Sequence, residues 1–254
     1  MSSNLKCYKG FTLVELSIVL VIIGLVIGGV LVGRDLIKSS EIRKSISTLE
    51  QVATSVNTFR IKYNCIPGDC VYTTSLFTDL SFNGNGNGLV DNWSSESLAT
   101  VDSLRSSKLL SQNITEVTSG TALYDGTHYI RGHNNSWSYF YYADLYSVGG
   151  GSITVSVPAV LDPAKRTGMT LTWAKWVNST GCFNGETVSP LDAGNIDQKI
   201  DDGLPKTGSF IAFDAKDVAG TCTGYTSRCW VTGQNSYKTS DNVGCRVIYY
   251  LPAK

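Results

Sequence analysis

The sequence has no excess of charge of either sign. Lys plus Arg number 21 and Asp plus Glu number 21, so the formal charge is zero. That removes the electrostatic footprint a nucleic-acid-binding surface needs. Charge is scarce altogether, at 17% of residues, against roughly 25% in an average soluble domain. Histidine is nearly absent, with only His128 and His133. The sequence holds no H-E-x-x-H, no G-x-S-x-G, no G-x-x-x-x-G-K-[ST] and no C-x-x-C pair. The familiar local signatures of metalloprotease, α/β-hydrolase, P-loop and thiol–metal chemistry are therefore missing. Apolar residues reach 42%, too many for a disordered chain. The 254 residues fit one or two domains. Glycine (25) and tyrosine (13) are plentiful, which suits a loop-rich, β-containing secreted domain better than a helical cytosolic enzyme. Seven cysteines point the same way.

One long hydrophobic run dominates what is present. From Phe11 to Gly33 the sequence reads FTLVELSIVLVIIGLVIGGVLVG, and Glu15 is its only ionisable side chain. As a helix it spans about 34 Å, enough to cross a hydrocarbon core. It is too long for a strand and apolar on every side, as a membrane helix is. A secretory signal has a shorter apolar region followed by a small-residue cleavage site, whereas Arg34, Asp35 and Leu36 follow here. Lys6 and Lys9 precede the run and favour a cytoplasmic N-terminus, an asymmetry that Arg34 and Lys38 weaken. Glu15 is an expense: a carboxylate costs about 2.5–3.5 kcal/mol at mid-membrane and less near an end. It either snorkels to the interface or meets a cation from another subunit.

The segment Lys9–Leu16, KGFTLVEL, resembles the cleavage and methylation motif of type IV pilins and type II secretion pseudopilins. The resemblance implies cleavage between Gly10 and Phe11 by a membrane-embedded prepilin peptidase. It implies N-methylation of the new terminus at Phe11, with the apolar helix left in place. Glu15 matches the family glutamate that neutralises the N-terminal amine of a neighbouring subunit during filament assembly. The physics agrees, because a buried carboxylate and a buried ammonium are each costly alone and their pairing selects register between subunits. Many relatives carry a proline partway along this helix; none stands here near Val32, so no kink is expected.

The helix should continue to about residue 63. Ile42, Ile46, Leu49, Ala53 and Val56 recur at helical spacing, while Glu41, Arg43, Lys44, Gln51, Asn57 and Arg60 occupy the other face. Gly24, Gly28, Gly29 and Gly33 form two G-x-x-x-G spacings, either ordinary membrane glycines or seats for close subunit packing. Pro67 and Gly68 are expected to stop the helix. The expected organisation is a leader (1–10), a membrane and filament-core helix (11–33), an amphipathic continuation (34–63) and one extracytoplasmic domain (64–254). The expected class is α+β: a long helix packed on a loop-rich domain with antiparallel strands, as in pilins.

Within that domain, FNGNGNGLV (82–90) places Asn83, Asn85 and Asn87 at the early ligand positions of a calcium loop, with Asp91 at the ninth. The twelfth position is Ser94 and the first three ligands are amides, so calcium affinity should be low. A turn-forming Asn-Gly loop is the competing account. Some pseudopilins use calcium, the resemblance adds; otherwise no cofactor is expected. Residues 95–110 read as a short helix. Strand candidates are 137–146, 152–160, 209–213 and 244–251, and 169–177 reads equally as strand or short helix. In 193–208, Asp197, Asp201 and Asp202 invite a metal reading, but a helical turn closed by Gly203 and Pro205, with the carboxylates as caps, fits better.

With Cys7 in the leader, six cysteines remain: Cys65, Cys70, Cys182, Cys222, Cys229 and Cys245. They allow 15 pairings. Sequence proximity favours Cys65–Cys70 and Cys222–Cys229, leaving Cys182–Cys245. The expected protein is therefore no enzyme but a pilin-like structural subunit, a minor or specialised pseudopilin. It would assemble into a type II secretion pseudopilus or a type IV pilus. Its partners would be other subunits, the prepilin peptidase, the inner-membrane assembly platform and the membrane, with no nucleic acid. It would sit single-pass in the bacterial inner membrane with a periplasmic or filament-borne C-terminal domain. The alternative is a membrane-anchored binding module, for carbohydrate or adhesion, using Trp137, Trp173, Trp176 and Trp230 as its surface.

Overall fold

The computed structural model describes residues 10–90, 95–110, 116–117, 120–121, 124–125, 129–133, 136–144, 167–174, 187–214, 229–231, 234–240, 242 and 244–251. The protein divides into two compact units, Met1–Glu41 and Ile42–Lys254. Helix α1 (Leu13–Tyr63) contributes to both.

In the first unit every described side chain of the apolar run is exposed, except for partial cover at Gly33. The helix is long and apolar enough to cross a membrane, and none of its most apolar stretch is buried.

The second unit begins at Ile42, and it includes most of the amphipathic part of α1, whose apolar stripe is core. Ile42, Leu49, Ala53 and Val56 are buried as the 3–4 spacing predicts, and Val52 and Phe59 join them. The helix ends where Asn64 enters the left-handed region at φ 52°. Asn tolerates that conformation and so terminates the helix before Pro67 is reached. Two short helices follow, α2 (Thr73–Leu76) and α3 (Ser95–Ser106). Past α3, Lys108 turns left-handed at φ 57° and Leu109 N–H returns to the Leu104 carbonyl at 3.1 Å, closing the helix end.

The strands are β1 (Glu116–Val117), β2 (Gly120–Thr121), β3 (Tyr124–Asp125), β4 (Tyr129–Arg131), β5 (Trp137–Asp144), β6 (Thr167–Ala174), β7 (Phe210–Asp214) and β8 (Cys245–Tyr250). Among the described residues they form an antiparallel six-stranded sheet, ordered β1-β4-β5-β6-β8-β7, and a β2-β3 ribbon. The fold is α+β. Residues 152–160 and 175–177 lie outside the described residues.

The strand-or-helix question at 169–177 is answered as strand. β6 pairs with β5 from Trp137↔Ala174 to Asp144↔Thr167, and with β8 from Thr170↔Tyr250 to Trp173↔Val247. It is buried on both faces, because Met169, Leu171 and Trp173 and the intervening Thr170 and Thr172 are all covered. An interior strand lacks the solvent face that alternation would advertise. Helix α4 (Pro190–Ile200) starts earlier than the turn expected at 193–208. Ser189 Oγ accepts from Asp192 N–H at 3.1 Å, and Pro190 opens the first turn. Ser-Pro-x-Asp is a start signal that the acidic run downstream overshadows.

Candidate functional site

Gly10 and Phe11 stand in non-helical backbone immediately before α1, and Phe11 is 86% exposed. Among the described residues a Cβ at Gly10 would meet nothing within 4 Å. The leader ahead of it, residues 1–9, lies outside the described residues. Thr12 caps the helix. Its N–H and Oγ–H both donate to Glu15 Oε2 at 2.8 Å, and Glu15 N–H donates to Thr12 Oγ1 at 3.2 Å. This is a capping box, T-x-x-E, and it satisfies two orphan helix donors reciprocally. Sequence reasoning singles out Glu15 for pairing between subunits and misses Thr12, although the capping signature is local. In the single subunit the Glu15 carboxylate is held at the end of its own helix. Further along, a Cβ at Gly24, Gly28, Gly29 or Gly33 would likewise meet nothing within 4 Å, so each leaves an open notch in a bulky apolar surface.

The cysteine pairing differs from proximity at one point that matters. Cys65 is bonded to Cys70. Cys229 is bonded to Cys245, not to Cys222, and so the Cys182–Cys245 pair does not form either. The reason is three-dimensional. Residues 229–230 and 237–238 lie side by side, with Lys238 N–H on the Cys229 carbonyl at 3.1 Å and a bridge between Trp230 and Tyr237. Cys245 opens β8 and bridges to Val188. The Cα atoms of Cys229 and Cys245 come within 4.9 Å, inside the range a disulfide needs. Cys182 and Cys222 lie outside the described residues. Non-reducing peptide mapping is expected to give a Cys229–Cys245 linked peptide; a Cys222–Cys229 peptide would contradict the fold of this corner.

The Asn-Gly loop turns its backbone, not its amide oxygens, inward. Asp69 is buried at its centre. Asp69 Oδ1 accepts from Gly86 N–H at 2.7 Å and Asn87 N–H at 3.2 Å, and Oδ2 accepts from Gly88 N–H at 2.8 Å. The loop is a nest of N–H groups around an internal carboxylate. Asn83 Oδ1 is spent on Thr74 N–H and hydroxyl, Asn85 Oδ1 on Asn87 N–H and Asn87 Oδ1 on Leu89 N–H. The three candidate calcium ligands therefore serve turns in this arrangement, and Asp91 lies outside the described residues.

Asp197, Asp201 and Asp202 do converge, with carboxylate oxygens within 4.8 Å of one another. Asp197 is fully buried and takes the Tyr237 hydroxyl on Oδ2 at 2.7 Å. Asp201 caps the approach to β7: its Oδ2 accepts from Ser209 N–H, Ser209 Oγ–H and Phe210 N–H, and its Oδ1 from Asp202 N–H. Asp202 Oδ1 takes Leu204 N–H at 2.9 Å. Burial, then the neighbouring Asp201, push Asp197 up to about 9, so it is protonated at neutral pH. Burial acts to raise Asp201 as well, but hydrogen bonds from Asp197 and the backbone outweigh it and hold that carboxyl below the ordinary range. The pair is a carboxylic acid beside a carboxylate, tying α4 to β7. The lone pairs of Asp201 are committed to protein donors, which suits capping better than coordination.

Ser45, His133 and Asp192 also meet, from α1, the β4–β5 turn and α4. Ser45 Oγ and His133 Nδ1 share a 2.9 Å hydrogen bond, and His133 Nε2 stands 4.0 Å from Asp192 Oδ2. All three are buried and His133 stacks on Trp173. The order of residue types is that of a hydrolytic triad, but the serine sits on the core-facing side of α1. The cluster is a buried polar set shared by α1, the β4–β5 turn and α4. His128 lies outside the described residues. Trp173 is fully buried, and Trp230 is partly covered, with Lys206 Nζ 5.0 Å from its ring centre. The Trp137 side chain and Trp176 lie outside the described residues. Of the four tryptophans expected as a binding surface, Trp173 is thus in the core.

Residues 5–31 match the family model for the prokaryotic N-terminal methylation motif. No curated protein and no solved structure matches the sequence. The matched stretch spans Gly10, Phe11, the Glu15 capping box and most of the exposed apolar run. The protein carries the N-terminal signature of type IV pilin and pseudopilin precursors.

Proposed function

We propose that this protein is a structural subunit, a minor or specialised pseudopilin, of a type II secretion pseudopilus or a type IV pilus. The observation that carries the reading is the methylation motif standing at the head of an exposed apolar helix that continues into the core of an α+β domain. The precursor is inserted single-pass in the inner membrane with its leader in the cytoplasm. Prepilin peptidase cuts after Gly10 and methylates Phe11. The assembly platform then transfers the helix from lipid to a filament, where the same apolar surface packs against other subunits. The move is favourable in kind, because an apolar helix surface loses nothing on exchanging lipid for protein contact and gains close packing at its glycines. The domain of about two hundred residues decorates the outside.

Intact and N-terminal mass spectrometry, with and without co-expressed prepilin peptidase, tests this directly. The expected product begins at Phe11 and carries one added methyl group. A product that keeps residues 1–10 in the presence of an active peptidase would overturn the reading.

A further inference from the structure

The loop at 83–88 contains three consecutive Asn-Gly steps, each with an exposed asparagine. Asn-Gly is chemically the least durable dipeptide in this protein. The glycine amide nitrogen attacks the carbonyl carbon of the asparagine side chain and a new bond to nitrogen forms there. The bond from that carbon to the amide NH2 breaks, and ammonia leaves. Water then opens the cyclic imide to aspartate or isoaspartate. Glycine promotes the reaction because no side chain obstructs the attacking nitrogen.

The fold leaves no substitute for these glycines. Gly86 and Gly88 adopt φ 73° and 84°, where a side chain is strained. At Gly84 a Cβ would run into the Asp69 backbone. The liability follows from the backbone path, and so protection has to come from elsewhere.

The hydrogen bonds supply it. Gly84 N–H, the nucleophile facing Asn83, is buried and donates to the Cys70 carbonyl at 2.7 Å. Gly86 N–H, the nucleophile for Asn85, donates to the Asp69 carbonyl at 3.1 Å and to Asp69 Oδ1 at 2.7 Å. Gly88 N–H, the nucleophile for Asn87, donates to Asp69 Oδ2 at 2.8 Å. We propose that Asp69 guards Asn85 and Asn87 against self-deamidation by holding the attacking Gly86 and Gly88 nitrogens on its carboxylate. The guard acts in two ways. It directs each N–H away from the neighbouring asparagine carbonyl. It also places a negative charge beside a nitrogen that must lose its proton to attack, which disfavours the anion. The asparagine oxygens are held too, Asn85 Oδ1 by Asn87 N–H and Asn87 Oδ1 by Leu89 N–H, which restrains the target side chains. Asn83 is guarded by a main-chain carbonyl instead and serves as an internal control.

The test is peptide mapping by mass spectrometry after prolonged incubation at mildly alkaline pH, comparing wild type, Asp69→Asn, Asp69→Ala and urea-unfolded wild type. Deamidation at Asn87 is expected to rise about tenfold or more in the folded Asp69 variants, the rate equivalent of freeing one charge-assisted hydrogen bond at the nucleophile, and at Asn85 to rise by less, because the Asp69 main-chain carbonyl still accepts from Gly86 N–H. Asn83 should stay at its wild-type rate. Unchanged rates at 85 and 87 in variants whose circular dichroism is native would overturn the proposal. So would equal acceleration at all three sites, which would mean that the loop had simply come loose. Should neither variant fold, the wild type alone decides: native protein must deamidate at 85 and 87 at least about tenfold more slowly than unfolded protein, and similar rates would refute the guard.

Discussion

Glu15→Ala and Glu15→Gln are both expected to be inserted and cleaved after Gly10, yet to be lost from assembled filaments. The two substitutions separate the roles that Glu15 combines. In the single subunit its carboxylate completes a capping box with Thr12. Glutamine at the same position also completes such a box, so a Gln variant keeps the helix start and loses only the charge. Alanine loses both. In lipid the carboxylate is costly, by about 2.5–3.5 kcal/mol at the midplane and less near the end. The newly cut amine of Phe11 is costly for the same reason. Each relieves the other only when a neighbouring subunit arrives in register, and a buried ion pair broken on one side costs about 3–5 kcal/mol. Since about 1.4 kcal/mol is tenfold in an equilibrium constant, incorporation should fall by at least about a hundredfold in either variant. Co-purification with sheared filaments, scored against membrane-fraction precursor and mature protein, reads the outcome. If Glu15→Gln assembles like wild type while Glu15→Ala does not, capping is the function and the pairing account is wrong.

The periodic features of this protein are legible without coordinates, and the long-range ones are not. The apolar run and the stripe from Ile42 to Val56 announce α1 because helical spacing is a local property. The strands β5, β7 and β8 follow aromatic and β-branched runs that stand out in the sequence. β6 is ambiguous there because its threonines are buried along with Met169, Leu171 and Trp173, which erases the contrast between faces. The Cys229–Cys245 bond rests on chain paths that bring residue 229 beside the start of β8, and no count of intervening residues contains that. The same applies to the candidate sites. The Asn-Gly loop advertises a cation through its side chains, whereas its backbone encloses Asp69 from far upstream. Asp197 resembles a solvated cap until a tyrosine forty positions later, Tyr237, is placed on its buried oxygen. Thr12 and Ser189 are different: both are capping residues with local signatures, and both are readable from sequence.

Asp197→Asn is expected to stabilise the domain, and by more as the pH rises. The folded protein holds the Asp197 proton up to about 9, whereas the unfolded chain releases it near 3.8. Between those values the native state binds more protons than the unfolded state, so stability falls with rising pH across that window. Asp201 works in the opposite sense, since its carboxyl is held below the ordinary value and its contribution is lost only in acid. The charged groups facing Asp197 are Asp201 and Asp202, with the Tyr237 hydroxyl held up by burial and by Asp197. An asparagine amide reproduces the protonated acid: its oxygen accepts from Tyr237 and its N–H donates towards Asp201. It cannot ionise, and so the slope from Asp197 disappears. The two proteins should melt alike near pH 4 and diverge steadily above it. By pH 8 the gain should be on the order of 2 kcal/mol, allowing for local relaxation, or roughly 4–8 °C in Tm for a domain of this size. Asp197→Ala should lose stability at every pH, because it takes the acceptor from the half-buried Tyr237 hydroxyl and leaves a cavity at a fully buried position. Parallel pH–Tm curves for wild type and Asp197→Asn would show that no proton is shared there, and the tie between α4 and β7 would then rest on Asp201 and its backbone donors alone.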